Sequence, residues 1–115
     1  MGLQGAKFFN SENKNEILLN INLDMVSRNE QNELYVCGTA YAPELRNYIL
    51  LAAKNAASVK VKLGHDGLDG KDSWVQSSDH YEFFKKNIPF LYFGVEDHED
   101  YHQPSDEFEN IDPAF

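Results

Sequence analysis

Ile88-Pro89-Phe90-Leu91-Tyr92-Phe93-Gly94 is the stretch on which the fold turns. It carries no charge and is apolar or aromatic at nearly every place, the wording of a strand buried on both faces, as central strands of parallel sheets are. Just upstream, Ser78-Asp79-His80 opens a short helix. Glu82 follows Asp79 by three places, the spacing of a capping pair, and the helix is expected to end near Asn87. A helix that feeds a buried strand belongs to an α/β sheet.

The rest of the chain fits around that strand. In residues 17–24 apolar and polar side chains alternate, with Leu19, Ile21 and Leu23 on one face and Asn20, Asn22 and Asp24 on the other. This predicts a strand whose second face meets a polar network. Leu34-Tyr35-Val36-Cys37-Gly38 predicts another strand, closed by glycine. Pro43 and Glu44 suit a first helical turn, and Leu45, Tyr48, Ile49, Ala52, Ala53 and Ala56 form a stripe of helical period, so a helix is expected over 43–57. Val59-Lys60-Val61-Lys62-Leu63 alternates apolar with basic, as a strand near a sheet edge does. Residues 64–73 are rich in glycine and aspartate and predict a loop. Leu3, Ala6 and Phe9 share one side of a helical turn at the start. The fold class is therefore α/β, a mixed, mostly parallel sheet flanked by helices, of which these residues are expected to hold about half.

Nineteen acidic against ten basic residues give a formal charge of −9 over 115 residues. The excess gathers in Glu96-Asp97-His98-Glu99-Asp100 and Asp106-Glu107-Phe108-Glu109, which repels phosphate backbones and excludes nucleic acid as a partner. Cations suit it better. Cys37 is the single cysteine, so no internal disulfide forms, and a thiol in a strand reads as a small buried hydrophobe. No run approaches the roughly 18 apolar residues of a membrane span, and no basic-then-apolar leader opens the chain.

Asp24 and His102 each stand just past an apolar run of strand type, and open α/β sheets gather ligands at the carboxyl ends of their strands. A carboxylate and an imidazole brought there together suit a borderline-soft divalent ion such as zinc. Two side chains do not complete such a site. Asp79 reads as a helix cap or as a residue orienting part of the site. His80 and His65 read as surface residues, His98 as part of a solvated charge run, and Trp74 as core or pocket wall.

Three blocks together resemble peptidase family M28, the co-catalytic zinc aminopeptidases with their glutamate carboxypeptidase and glutaminyl cyclase relatives. They are Gly2-Leu3-Gln4-Gly5-Ala6, then Ile21-Asn22-Leu23-Asp24-Met25-Val26, then Ser78-Asp79-His80 through Ile88-Pro89 to Tyr101-His102-Gln103-Pro104-Ser105-Asp106. The resemblance spans nearly the whole chain and implies that residues 1–115 are the C-terminal part of a single M28-like peptidase domain. It implies that Asp24 binds one zinc and His102 the other, with two ions in the complete domain and incomplete sites here. The family's general-base glutamate stands ahead of the Gly-Leu-X-Gly block and is expected upstream of Met1. Gln103 replaces the family's commoner threonine, and Ser27 its commoner glycine.

The function that this resemblance implies is that of a zinc-dependent exopeptidase (aminopeptidase) acting on peptides with a free N-terminus, in an extracytoplasmic compartment by the resemblance alone. The isolated chain is expected to be inactive, and to self-associate through a face that the rest of the domain would cover. A non-catalytic binding or assembly module is the alternative class. A cyclase-like acyltransferase ranks below both, because Tyr101 stands where that branch usually has tryptophan.

Overall fold

A computed structural model describes residues 2–13, 15–56, 58–68, 70 and 72–115. Strand β4 (Phe90–Gly94) lies inside a four-stranded sheet. It runs parallel to β1 (Asn20–Leu23) on one side and antiparallel to β2 (Glu33–Cys37) on the other. Beyond β2, β3 (Lys60–Leu63) pairs in parallel and forms the far edge, where Lys60 and Lys62 reach solvent as the alternation predicts. The sheet is thus mixed and mostly parallel, with β1 at the edge opposite β3.

Helices α2 (Arg46–Asn55) and α3 (His80–Phe84) flank it, and α1 (Gln4–Glu12) packs on α3. A 3-10 turn at Pro43–Leu45 leads into α2, because proline has its φ preset for a first turn. The expected helix over 43–57 is shorter at its end: Ala56 is already extended, and Ala57 lies outside the described residues. The buried stripe is also narrower than the sequence pattern. Leu45, Ile49 and Ala53 are half-buried on the side that meets β3, whereas Tyr48 and Ala52 are exposed.

α3 begins where expected, but Asp79 has helical backbone angles and makes no side-chain capping bond. Glu82 bonds Lys85 Nζ at 2.7 Å instead of reaching back. The helix proper stops at Phe84, and turns carry the chain to Asn87, whose φ of 58° ends the coil ahead of Pro89. Asparagine tolerates that left-handed conformation better than most residues.

Phe90, Tyr92, Cys37 and Val75 form the core, with Trp74 and Phe84 packed against them. His80 belongs to this core and not to the surface: it is fully buried and stacks on Phe90 at 4.8 Å and on Tyr92 at 4.5 Å between centroids. His65 overturns the surface reading in the same way. Its ring lies flat on Trp74, with centroids 3.6 Å apart and planes 8° off parallel. His65 and Asp66, in the predicted loop, therefore turn into the fold, and the buried Asp66 accepts from the Gly38 amide.

Gly38 closes β2 for a steric reason. Its φ is 115°, and a Cβ there would stand 2.3 Å from the backbone oxygen of Phe90. Only glycine adopts that angle and leaves that space free.

β1 is shorter than the expected 17–24, because its ladder with β4 starts at Asn20 opposite Phe90. Its faces are also inverted relative to simple amphipathicity. Ile21 and Leu23 are 56% and 63% exposed, while Asn20 and Asn22 are half-buried on the side that faces α3. Among the described residues, no helix is long and apolar enough to cross a membrane.

Candidate metal centre

Asp24 is set by the sheet itself. Its amide donates to Phe93 O at 3.1 Å, extending the β1–β4 ladder by one residue. Met25 then takes a left-handed backbone, φ 58°, and its carbonyl accepts from Val95 N at 3.2 Å. The chain is bent out of the sheet immediately after Asp24. The carboxylate consequently sits where the parallel strands β1 and β4 both end.

β4 runs on into residues 95–107, which carry His102. That segment has turns but no strand or helix. Asp24 and His102 line one cleft of about 430 Å3, together with Met25, Trp74, Tyr92 and Tyr101. The Tyr101 ring stacks on that of His102 at 4.0 Å. His102 itself has a φ of 57° and is exposed. Asp97 and Asp106 complete the cleft's acidic lining.

Behind Asp24 lies a chain of directed hydrogen bonds. His80 donates from Nε2 to the carbonyl of Trp74 at 2.8 Å, because a carbonyl can only accept. Nδ1 is then the accepting nitrogen, and the Asn22 amide donates to it at 3.3 Å. Asn22 gives its other hydrogen to Ser78 Oγ at 3.0 Å. Ser78 spends its own proton on Asp24 Oδ2 at 2.7 Å. One N–H of Asn22 and the hydroxyl of Ser78 thus donate in turn toward the carboxylate, which is the acceptor.

Burial holds the His80 imidazole below its usual pKa of 6.5, against the Trp74 carbonyl and the charges of Asp24 and Asp79, which favour protonation. A neutral ring is what the hydrogen bonds require. Burial likewise pushes the Tyr92 phenol up to about 12, with the Asp24 charge acting in the same direction. Its hydroxyl stays protonated and lies 3.5 Å from Asp24 O. Gly94 makes room for it, since a Cβ there would come within 2.8 Å of that oxygen.

The atoms left over fit a cation. Oδ2 of Asp24 is engaged by Ser78, and Oδ1 has no hydrogen-bond partner among the described residues. Neither ring nitrogen of His102 has one. A carboxylate oxygen and an imidazole nitrogen facing one polar cleft are the donors that zinc takes. Among the described residues, no three His, Cys, Asp or Glu side chains gather closely enough to hold an ion between them.

Asp79, read from sequence as a helix cap or orienting residue, is exposed, and the side chain that reaches Asp24 is its neighbour Ser78. His98 is half-buried, with Nδ1 3.3 Å from Nη2 of Arg28. Trp74 serves both roles allowed it, packing on the core and walling the cleft. Sequence reasoning quoted Ser78 only as part of a motif, read His80 as a surface residue, and passed over the ion pair between Arg28 and Asp100. The alternation of Asn20, Asn22 and Asp24 was the available sign of the polar network.

The architecture is an open α/β sheet with a carboxylate at the end of β1 and an imidazole on the loop after β4. The chain belongs to peptidase family M28, whose model matches residues 1–115. Among solved structures it is similar to BSAP, a zinc aminopeptidase from Bacillus subtilis, with a TM-score of 0.68 and 27% identity. That match covers 96% of this chain and 28% of the aminopeptidase. A search of curated proteins finds no match.

Proposed function

We propose that Asp24 and His102 each give one ligand to a different zinc ion, in an exopeptidase that removes residues from the free N-termini of peptides. The remaining ligands and the general-base glutamate then come from outside these 115 residues. Two facts support this division: the chain spans 28% of the length of the zinc aminopeptidase it resembles, and the site residues do not form a three-ligand cluster among the described residues. The 115-residue chain by itself is then inactive, and the compartment extracytoplasmic.

Zinc, when bound, supplies Lewis acidity at the scissile carbonyl and lowers the pKa of an attacking water. The chain's own residues do the rest. Ser78 fixes the rotamer of Asp24 and leaves Oδ1 for the ion. Neutral His80 and Asn22 keep Ser78 pointed outward, so the carboxylate remains an acceptor. Trp74 and Tyr92 wall the cleft with aromatic surface that holds water away from one side.

The observation that carries the reading is the shared cleft: the Asp24 carboxylate and the His102 imidazole both line it, each with donor atoms uncommitted, on an M28 fold. Metal analysis of the protein as its gene encodes it tests the reading. Asp24→Ala and His102→Ala should each release about one zinc equivalent and abolish hydrolysis of an aminoacyl-nitroanilide. Full zinc content in both variants would refute the assignment.

A further inference from the structure

His102 sits on a segment with no regular secondary structure, so something other than a helix or strand must fix it. Asp100, two residues before it, is 8% exposed amid a loop that is otherwise largely open to solvent. Both of its carboxylate oxygens are used. Oδ2 is paired with Nη2 of Arg28, and Oδ1 accepts the hydroxyl of Ser105. Its main-chain carbonyl also accepts from Gln103 N at 2.8 Å, closing the turn that contains His102. Asp100 is thus the hub of the His102 turn, and the cation that compensates it comes from another part of the chain.

Arg28 stands four residues after Asp24, on the segment that leaves β1. Its guanidinium also reaches His98 Nδ1 at 3.3 Å, so the arginine grips the 98–105 segment at two places. A second tie lies close by, where Asp112 N donates to Ser27 O at 3.1 Å. The segments that follow Asp24 and carry His102 are therefore tied to each other.

We propose that Arg28 is a positioning residue for His102: through Asp100 it sets the imidazole at a fixed offset from Asp24. This rests on His102 being a metal ligand. A planar guanidinium suits the task, because it holds the Asp100 carboxylate and the His98 ring nitrogen from one rigid group. Its loss leaves Asp100 buried without its cation, and the turn must open to hydrate it.

The test uses the zinc-loaded protein as its gene encodes it, carrying Arg28→Gln. The expected result is loss of the ion that His102→Ala also loses, with that site's affinity weakened about 10–100-fold and the Asp24 ion retained. Arg28→Lys, which keeps the charge, should recover part of that affinity. In the metal-free protein, amide exchange should quicken over residues 100–106 and stay unchanged in β4. Wild-type affinity at both ions in Arg28→Gln overturns the proposal, as does loss of both ions together. If His102→Ala keeps both ions, the ligand reading itself fails, and Arg28 has no metal to position.

Discussion

The hydroxyl of Ser78 and the carboxylate of Asp24 are 54 residues apart in sequence and meet at 2.7 Å. A serine proton donated to one oxygen of a carboxylate does two things: it locks the carboxylate rotamer and leaves the other oxygen directed elsewhere. Partners of this kind orient metal-binding side chains and tune them. If Asp24 holds zinc as proposed, Ser78→Ala should weaken metal binding there about 10–100-fold. The fold should lose only about 1 kcal/mol, since Asn22 keeps His80 as an acceptor. A competition titration against a chromophoric chelator reads the first effect and urea unfolding the second. Unchanged affinity would mean that the backbone alone sets Asp24.

His80 gives the fold a pH dependence whose sign follows from burial. Its folded pKa lies below the ordinary 6.5, with burial as the leading cause. Below pH 6.5 the unfolded chain therefore binds a proton that the folded chain refuses. The contribution is complete above 6.5 and is lost as the pH falls toward and through the folded value. Its slope reaches at most about 1.4 kcal/mol per pH unit. Urea unfolding at pH 7.5 and 5.5 should show a smaller drop in His80→Gln than in the wild type. Equal drops would place the titration on other groups.

The strands were legible because their patterns are local. β4 shows as an uncharged run, β3 as lysines alternating with apolar residues, and the end of β2 as a glycine. Asp24 and His102 stood out as candidates because each follows a strand-like run, and it was the family resemblance that gave them a ligand role. The buried histidines were not legible. His80 and His65 are polar in sequence, yet both are buried against aromatic rings from other segments of the fold. A ring that stacks on Phe90 and Tyr92 owes its burial to tertiary packing, which no spacing within Ser78-Asp79-His80 records. The inverted burial of β1 was hidden for the same reason. Alternation says which residues share a face, and only the neighbouring elements decide which face is covered.

Gly38 is the position where a single methyl group should be most damaging. At φ 115° an L-residue is strained, and its Cβ would overlap the Phe90 carbonyl, which belongs to the central strand and has little freedom to move. Gly38→Ala should cost about 3 kcal/mol or more, by strain together with displacement of β4. Gly70 supplies the control. It too has a positive φ, but a Cβ there meets nothing within 4 Å, so Gly70→Ala should cost about 1 kcal/mol. Thermal unfolding of the two variants separates steric overlap from backbone strain, and equal losses would remove the steric explanation for Gly38.

Ile21 and Leu23 lie on the same face of β1, more than half exposed, on a strand whose outer edge has no partner strand among the described residues. Apolar side chains on an unpaired edge are a template for further strand pairing and for burial against another surface. The 115-residue chain should therefore self-associate as its concentration rises, seen as increasing mass in sedimentation velocity. Replacing both with lysine should suppress that association, because charge on an edge strand blocks edge-to-edge pairing. The substitutions should shift folding stability by no more than about 0.5 kcal/mol, since neither side chain is buried. A wild-type chain that stays monomeric at high concentration would show that this face needs no cover. Association that persists in the lysine double variant would move the contact to another surface.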